Sequence, residues 1–197
     1  MKKISLAFLA IAAITICIIT SCNNAQSNSA KLVQTLNNDS ITELVNRGKY
    51  LVTSIGCDDC HSPKKLGQNG PEVISDLRFS GYPSNRPFNK VSKDAFSKGW
   101  MTFNRDLTSA AGPWGVSFSA NITSDSTGIG AWSEAQFRKA LREGKSKGLD
   151  NNRPLLPPMP WQNFRNLSDD DLKAIFTFLK TTKPVHNVVP QPIPPQQ

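Results

Sequence analysis

The segment Cys57-Asp58-Asp59-Cys60-His61 decides how the rest of this 197-residue chain is interpreted. Its two cysteines lie three positions apart, on one turn of a helix, and a histidine follows the second cysteine directly. This C-x-x-C-H pattern is the attachment signature of c-type haem, in which each thiol bonds to a vinyl group and the histidine binds the iron. The sequence therefore predicts one covalently bound haem c on Cys57 and Cys60, with His61 as an axial ligand.

Two other kinds of site also use a C-x-x-C pair. A structural zinc site needs two further Cys or His ligands, and the remaining candidates are Cys17, Cys22 and His186. A thioredoxin-like redox pair is expected beside a βαβ pattern, which this sequence lacks. The histidine next to Cys60 therefore favours haem over both alternatives.

The N-terminus has the composition of an export signal. Lys2 and Lys3 precede an apolar run over residues 4–19, and Ile19-Thr20-Ser21-Cys22 resembles the lipobox of bacterial lipoproteins. We expect residues 1–22 to be a lipoprotein-type signal, with Cys22 lipidated and first in the mature chain. Ordinary cleavage and an uncleaved anchor are the alternatives.

The use of cysteine agrees with this location. Cys17 lies in the signal, Cys22 carries lipid, and Cys57 and Cys60 carry haem, so none of the four cysteines is left for a disulfide. Haem attachment of this type is completed outside the cytoplasm. We therefore expect a protein of the cell envelope that faces the periplasm and is held on the membrane by its lipid.

The chain is basic, with a formal net charge of +8 that falls to +6 without Lys2 and Lys3. This charge suits an acidic redox partner or anionic lipid, although an ordinary solvated surface explains it equally well. No basic motif interleaved with aromatic residues is present, which argues against nucleic acid. The basic side chains considered for steering a partner are Lys64, Lys65, Arg138, Lys139 and Arg142.

The remaining sequence predicts a tether, one domain and a tail. Residues 23–39 are rich in Asn, Ser and Gln and predict a flexible tether; residues 40–185 predict the folded domain, and residues 186–197 a Pro-rich tail. A first helix is predicted to begin at Ser40, capped through Glu43, with Gly48 on its buried face. Residues 62–120 are predicted to be irregular with short helices.

Two later helices have clear capping signals. Ser133 and Gln136 form a capping box for a helix from Glu134 to about Arg142, which is expected to end near Gly144. Ser168 caps the last helix, whose first turn is acidic. The predicted buried stripe of that helix is Leu172, Ile175, Phe176 and Leu179.

The sixth ligand of the iron decides the function, and few residues qualify. Met159 lies between prolines in Leu155-Leu156-Pro157-Pro158-Met159-Pro160-Trp161, which keep the backbone extended and argue against a packed helix or central strand. We interpret Met101 as core filler and His186 as a surface histidine. Met159 is therefore the predicted distal ligand.

From Gly112 onward the chain resembles bacterial class I c-type cytochromes. The resemblance covers roughly residues 41–190 and rests on several motifs. These are Gly48-Lys49-Tyr50-Leu51, the C-x-x-C-H run, GPWGVSF at 112–118, NIT at 121–123, TGIG at 127–130 before Trp132, PPMPW at 157–161, the final helix at 172–180 and Lys183-Pro184-Val185.

The resemblance implies an all-α cytochrome c fold, with a third helix and long irregular loops around one haem. It implies that the first and last helices cross near Gly48 and Phe178, and that Met159 is the axial methionine. The stretch between His61 and Met159 is longer than in the smallest members of that group. A second C-x-x-C-H motif, which related chains often carry, is absent from this sequence.

These observations lead to one functional hypothesis and two alternatives. The leading one is a single-haem carrier that passes one electron at a time between redox partners of the envelope and is not itself an enzyme. One alternative is a haem peroxidase or gas sensor with an open or labile sixth position. The other is a fixed electron-transfer subunit of a membrane dehydrogenase or oxidase.

Overall fold

The protein is described here from a computed structural model, which covers residues 38–88 and 98–195 together with residues 34 and 96. The predicted signal, the lipidation site Cys22 and most of the predicted tether lie outside the described residues. The chain divides into two compact units, Met1–Glu43 and Leu44–Gln197, and every candidate ligand of the haem belongs to the second.

The described residues form helices and two small sheets. The helices are α1 over 38–54, α2 (Cys57–His61), α3 (Glu134–Glu143), α4 (Trp161–Phe164) and α5 (Asp169–Lys180). The strands are β1 (Lys64–Gly67), β2 (Gly70–Val73), β3 (Thr102–Phe103), β4 (Ser109–Gly112) and β5 (Gly115–Phe118). Short 3-10 turns occupy Ser75–Leu77 and Ser146–Gly148. No helix in this part of the chain is both long and apolar enough to cross a membrane.

The prediction of an all-α fold is wrong, because two antiparallel sheets occupy part of the segment expected to be irregular. β1 pairs with β2, and the second sheet has the order β3-β4-β5. Two-residue loops between glycines, Gly67 to Gly70 and Gly112 to Gly115, join adjacent strands directly. Gly70 and Gly115 have φ values of 117° and 92°, which suit glycine, so these runs close as hairpins instead of remaining irregular.

Helices α1 and α5 cross at Gly48, as the resemblance implies. A Cβ added at Gly48 would overlap the backbone carbonyl of Ala174 and the Cβ of Phe178. The ring of Phe178 in turn meets the edge of Phe79, with ring centroids 6.2 Å apart. Glycine at this position thus brings the two helices together around a single apolar core. Leu51, Val52, Phe79, Ile129, Phe137, Leu141, Leu172, Ala174, Ile175, Phe178 and Leu179 form this core.

The predicted ends of α3 and the predicted cap of α5 are confirmed, whereas the predicted start of α1 is wrong. The Ser133–Gln136 capping box is complete, and Gly144 ends α3 with φ 66°. The Ser168 side chain accepts a hydrogen bond from the backbone N–H of Asp171. Residues 38 and 39 are already helical, so Ser40 lies within α1 and does not cap it.

The Pro-rich C-terminal segment is extended, and its described part is bound to the folded unit. Val116 and Ile193 exchange backbone hydrogen bonds of 2.8 and 3.0 Å, which adds a bridge to the edge of β5. The buried amide of Asn187 donates to the carbonyls of Ser80 and Tyr82 at 2.7 and 2.9 Å. The segment predicted as a tail therefore helps to close the fold.

Candidate functional site

The short helix α2 carries the two cysteines and the histidine on one turn. Gly56 precedes it with φ 76° and ψ 33°, a left-handed conformation that lets the chain turn from α1 into α2. Cys57 and Cys60 are half-buried free thiols. The structure thus places both thiols of the predicted attachment motif on one helix.

His61 is held by a single hydrogen bond to the backbone. Its Nδ1 lies 2.7 Å from the carbonyl oxygen of Ala120. Because a carbonyl only accepts, Nδ1 carries the proton and Nε2 keeps the lone pair that can bind a metal. Burial lowers the pKa of His61, and the Ala120 carbonyl offsets part of this effect, so the ring is held neutral.

The Ala120 carbonyl is positioned by pairing between two loop segments. The Tyr82 N–H donates to the Ser119 carbonyl at 2.9 Å, and the Ile122 N–H donates to the Phe79 carbonyl at 2.9 Å. The Gly81 N–H binds the His61 carbonyl at 2.8 Å, and Gly81 has φ 75°. A Cβ there would overlap the 119–120 backbone. Gly81 therefore allows the segment that holds His61 to approach closely.

Asp58, inside the C-x-x-C-H motif, is the centre of an ion-pair network. Its carboxylate accepts from Arg78 Nε and Nη2 at 2.9 and 2.6 Å and from Ser62 Oγ at 2.7 Å. Ser62 Oγ also accepts from the Phe79 N–H at 2.9 Å. Burial would raise the pKa of Asp58, but the hydrogen bonds from Arg78 and Ser62 outweigh it and lower the pKa. The network fixes α2 against the segment at Arg78 and Phe79.

Lys64, predicted as a surface cation, instead binds backbone carbonyls at the end of α2. Its Nζ donates to the carbonyls of Asp58, Asp59, Ser62 and Asp106 at 2.7 to 3.1 Å. These bonds join the end of α2 to the loop that contains Asp106. Lys64 therefore has a structural role beside the site, although the carbonyls that hold it do not neutralise its charge.

Asp106 supports the same region from the second sheet. Its side chain is 5% exposed, and one carboxylate oxygen lies 2.8 Å from Arg86 Nη1. The carboxylate also accepts from Thr108 Oγ1 at 2.7 Å and from the Lys64 N–H at 3.3 Å. Burial would raise the pKa of Asp106, but the bonds from Thr108 and Arg86 lower it. Through these bonds Asp106 links the loop before β4 to Arg86 and to the start of β1.

The thiols are poorly suited to a redox pair of the thioredoxin type. Burial raises the pKa of Cys57 to about 12, with the charge of Asp58 adding to the effect. Burial also raises the pKa of Cys60. Such redox pairs need a thiol whose pKa is lowered, so that thiolate is present near neutral pH. The environment of α2 has the opposite effect.

The loop that carries Met159 is fixed by bonds from two elements. Ser117 Oγ on β5 donates to the Pro157 carbonyl at 2.6 Å, and the Leu155 N–H donates to the Gly144 carbonyl at 2.6 Å. The Trp161 N–H binds the Met159 carbonyl at 2.9 Å. Met159 is half-buried and packs against the same apolar core as Cys57. One core is therefore in contact with both the attachment motif and the predicted distal ligand.

The other two candidates for the sixth position lie at the surface. Met101 is 48% exposed, so its interpretation as core filler is wrong. The side chain of His186 is 75% exposed, as predicted, and its Nδ1 lies 3.6 Å from Asp125 Oδ1. Neither residue is among those that pack against the core that Cys57 and Met159 contact.

These residues fit haem c better than zinc. Two thiols on one helical turn can bond to the vinyl groups of a c-type haem, and a neutral histidine with a free Nε2 and a half-buried thioether can serve as ligands of its iron. Within the described residues, no three His, Cys, Asp or Glu side chains come together as a metal site.

A separate cavity of about 570 Å³ lies between residues 82–88 and the second sheet, and none of the four predicted haem-binding residues lines it.

Sequence analysis did not identify the supports of the site, namely Gly56, Ser62, Arg78, Gly81, Asp106, Ser117 and the Ala120 carbonyl. Most of these groups act across many residues of the chain, so no local pattern identifies them. Gly56 is the exception, because a glycine immediately before a short helical motif indicates a left-handed turn. The NIT motif is a weaker signal, since Asn121 follows Ala120 and its side chain accepts from the Thr123 N–H at 3.0 Å.

The chain is similar to cytochrome subunits of bacterial dehydrogenases, although no protein-family model matches it. It is 32% identical over 148 residues to the gluconate 2-dehydrogenase cytochrome c subunit of Pantoea cypripedii, a match that covers 75% of this chain and 24% of that subunit. It is 28% identical over 144 residues to the fructose dehydrogenase cytochrome subunit of Gluconobacter japonicus, a match that covers 72% of this chain and 22% of that subunit. It is 41% identical over 75 residues to the alcohol dehydrogenase (quinone) cytochrome c subunit of Gluconobacter oxydans, a match that covers 37% of this chain and 15% of that subunit.

The match thus spans no more than 24% of the length of any of these three relatives. Within that span the similarity supports a bacterial cytochrome c domain, suggests a cytochrome c fold and implies haem c as the cofactor. It supports an electron-transfer cytochrome.

Proposed function

We propose that this chain binds one haem c, attached to Cys57 and Cys60, with His61 and Met159 as the axial ligands of its iron. The observation that carries the proposal is the hydrogen bond of 2.7 Å from His61 Nδ1 to the Ala120 carbonyl, because it leaves Nε2 free to bind iron. Contact of Cys57 and Met159 with one apolar core supports a shared site.

Haem c, when bound, supplies an iron that alternates between the ferrous and ferric states. The residues around it determine how it is used. A neutral imidazole held by a backbone carbonyl and a thioether on a fixed loop would keep the sixth position closed, which suits electron transfer and disfavours catalysis at the iron. The apolar core excludes water on the side of Cys57 and Met159.

The partner that we propose is an envelope dehydrogenase, to which the chain is bound as a subunit or from which it collects electrons. The relatives named above support this choice, since each is a cytochrome subunit of a dehydrogenase. We propose that the partner oxidises a small substrate and that this chain receives one electron at a time. Co-purification of a flavin, quinone or molybdenum enzyme with the chain would identify a fixed complex.

We also propose that the chain is organised as a signal over residues 1–22, a tether over 23–39, a cytochrome domain over 40–185 and a C-terminal segment over 186–197. Lipid on Cys22 would hold the domain at the periplasmic face of a membrane. Mass spectrometry of the mature N-terminus is expected to find a lipid-modified Cys22. Cys22→Ser should leave the protein without lipid, whereas Cys17→Ser should not; an unmodified N-terminus in the wild type would refute the anchor.

The first test of the haem site is the optical spectrum of the reduced holoprotein before and after carbon monoxide is added. We expect a c-type spectrum that the gas does not change, because Met159 occupies the sixth position. Met159→Ala should keep the haem attached but change its ligation and let the gas bind. Met101→Ala, at an exposed methionine, is the matched control and should behave like the wild type.

Two outcomes would contradict this assignment. A wild-type protein that binds carbon monoxide rapidly has an open or labile sixth position, and a peroxidase or gas sensor would then be the better interpretation. A Met159→Ala variant with an unchanged spectrum would show that another residue is the distal ligand.

A further inference from the structure

Three cations on α3 were considered for steering a partner, but each one is already neutralised within the protein. Arg138 pairs with Glu134 and Asp169, both at 2.7 Å. Arg142 binds Asp169 at 2.8 Å, and Lys139 pairs with Glu143 and with Asp150. Paired cations such as these contribute little attraction for a partner.

The loop that follows α3 differs from it, because the cations of this loop form no salt bridge within the described residues. Residues 145–154 form a closed loop, because Lys145 and Pro154 form a bridge and the Ser146 N–H donates to the Arg153 carbonyl at 3.0 Å. The Asn152 side chain adds a bond of 3.0 Å to the Ser146 carbonyl. The backbone that carries the cations of this loop is therefore held in a defined conformation.

No cation of this loop has an ion pair within residues 38–88 and 98–195. Lys145, Lys147 and Arg153 make no salt bridge there, and the Arg153 guanidinium binds only the Pro154 carbonyl, at 2.8 Å. The acidic residue of the loop, Asp150, binds Lys139 on α3. Burial lowers the pKa of Arg153. The loop thus carries three cations against one carboxylate, Asp150, whose pKa is lowered by Lys139 and also by Lys145, so a net positive charge remains on the loop.

A further cation and an exposed apolar side chain complete the surface. Arg165 lies over the ring of Trp161, 6.0 Å from its centroid, and that ring lies against Gly144 at the start of the loop. Leu149 within the loop is 44% exposed. We define the basic loop face as Lys145, Lys147, Leu149, Arg153 and Arg165.

We propose that the basic loop face is the surface on which an acidic partner protein docks to exchange electrons with this chain. The inference rests on the proposed function and names the surface that serves it. Its location supports the role, because the loop continues directly into the Leu155–Trp161 segment that carries Met159, and the Leu155 N–H binds the Gly144 carbonyl at 2.6 Å. A partner docked here would lie beside the segment that carries the proposed distal ligand.

The composition of the face matches an interface with a protein. An exposed leucine among unpaired cations provides a small apolar contact with a charged rim, and such a rim accelerates association with a surface of opposite charge. The acidic partner would supply carboxylates to Lys145, Lys147 and Arg153, which form no salt bridge within the described residues. Anionic lipid is the competing occupant, and the experiment separates the two.

The test uses reduced full-chain holoprotein that has passed the carbon monoxide test. One electron leaves the protein and reduces ferricyanide, a trianion, to ferrocyanide, and stopped-flow absorbance gives the rate. Lys147→Glu should slow this reaction about three- to tenfold at low ionic strength and accelerate the reaction with the trication tris(phenanthroline)cobalt(III). Lys173→Glu is the matched control, an exposed lysine on α5 with the same change of charge, and should change either rate less than about twofold.

Poly-L-glutamate serves as the acidic polypeptide probe. It should slow the ferricyanide reaction of the wild type and of Lys173→Glu, but not that of a Lys147→Glu/Arg153→Glu variant. Equal effects of Lys147→Glu and Lys173→Glu would overturn the inference while leaving the haem assignment intact. The lipid alternative is tested by binding the lipidated protein to phosphatidylglycerol vesicles and measuring the ferricyanide rate again. If wild type and Lys147→Glu differ in rate in solution but not on the vesicles, lipid occupies the face and the inference is wrong.

Discussion

The two sides of the candidate haem site are built in different ways. The proximal segment, residues 56–64, is held by side chains, since Arg78 and Ser62 bind the Asp58 carboxylate and Lys64 binds carbonyls at the end of α2. The distal loop, residues 154–161, is held largely through backbone bonds, with side-chain bonds of 2.6 Å from Ser117 and 2.8 Å from Arg153.

This difference predicts how each side responds to change. The proximal segment needs a fixed geometry so that two thiols and an imidazole meet one haem, and a network of charged hydrogen bonds supplies it. The distal loop only has to keep a weak thioether ligand near the iron, and prolines with a few backbone bonds suffice. We therefore expect proximal variants to affect attachment and stability, and distal variants to affect ligation.

The largest effect is expected at the attachment motif. Cys57→Ser removes one of the two thiols that bond to the haem, so little or no normal holoprotein should form. Haem staining after denaturing electrophoresis measures covalent attachment directly. Cys17→Ser is the control and should stain like the wild type, because Cys17 lies in the predicted signal. Full staining of Cys57→Ser would contradict the assignment of this motif.

The next largest effect is expected where the proximal backbone is tightly packed. Gly81→Ala places a Cβ against the 119–120 backbone at φ 75°, which should cost about 2–4 kcal/mol of unfolding free energy from strain and overpacking together. Urea unfolding of the holoprotein measures this loss. Gly99→Ala is the control, since Gly99 has φ 82° but nothing within 4 Å of an added Cβ. Equal losses in the two variants would show that packing around the Ala120 carbonyl is unimportant.

A smaller, pH-dependent effect is expected at Asp106. Because its folded-state pKa is lowered, ionised Asp106 stabilises the fold above the unfolded-state pKa of about 3.9, and this stabilisation is lost as the pH falls through the folded-state pKa. Asp106→Asn should therefore lower the unfolding free energy by about 1–3 kcal/mol at pH 7. The deficit should shrink near pH 3.

Urea midpoints at both pH values measure this change. Asp170→Asn, at an exposed position on α5, controls for the loss of one negative charge. A deficit in Asp106→Asn that does not change with pH would refute an electrostatic role for the buried pair with Arg86.

The smallest effect is expected at the support of the distal loop. Ser117→Ala removes the hydrogen bond to the Pro157 carbonyl and should cost about 0.5–1.5 kcal/mol. The haem should stay attached, while carbon monoxide should bind the reduced protein faster than it binds the wild type. Ser80→Ala is the matched control, because it removes a 2.7 Å bond to the Leu77 carbonyl on the proximal side. Faster gas binding in Ser80→Ala as well would erase the distinction between the two sides.

Much of the helical part of the fold was predictable from local sequence. The caps at Ser133 and Ser168 and the end of α3 at Gly144 were predicted correctly, since a cap depends on residues within one turn of each other. The close approach of α1 and α5 at Gly48 also follows a local cue, a glycine on the buried face. The start of α1 was missed, because Ser40 has a capping pattern but lies within the helix.

The sheets and the ionic contacts were not predictable in the same way. The two hairpins occupy a segment whose glycines were interpreted as irregular chain, although the spacing of two residues between paired strands favours a tight turn. The pairing of Arg138 with Asp169 and of Lys64 with the Asp106 carbonyl joins residues far apart in the chain. Whether a cation is free or neutralised therefore depends on contacts that composition does not contain.

The sequence by itself determined the chemistry that we propose for this protein, through a C-x-x-C-H motif on one helical turn and a methionine between prolines, because attachment and ligation require particular atoms at short spacings. Only the tertiary structure decided which nitrogen of His61 faces a carbonyl, which core Cys57 and Met159 contact, and which basic side chains form ion pairs within the described residues. Those properties depend on distances between segments that are remote in sequence, and folding brings the segments together through burial of the shared apolar core.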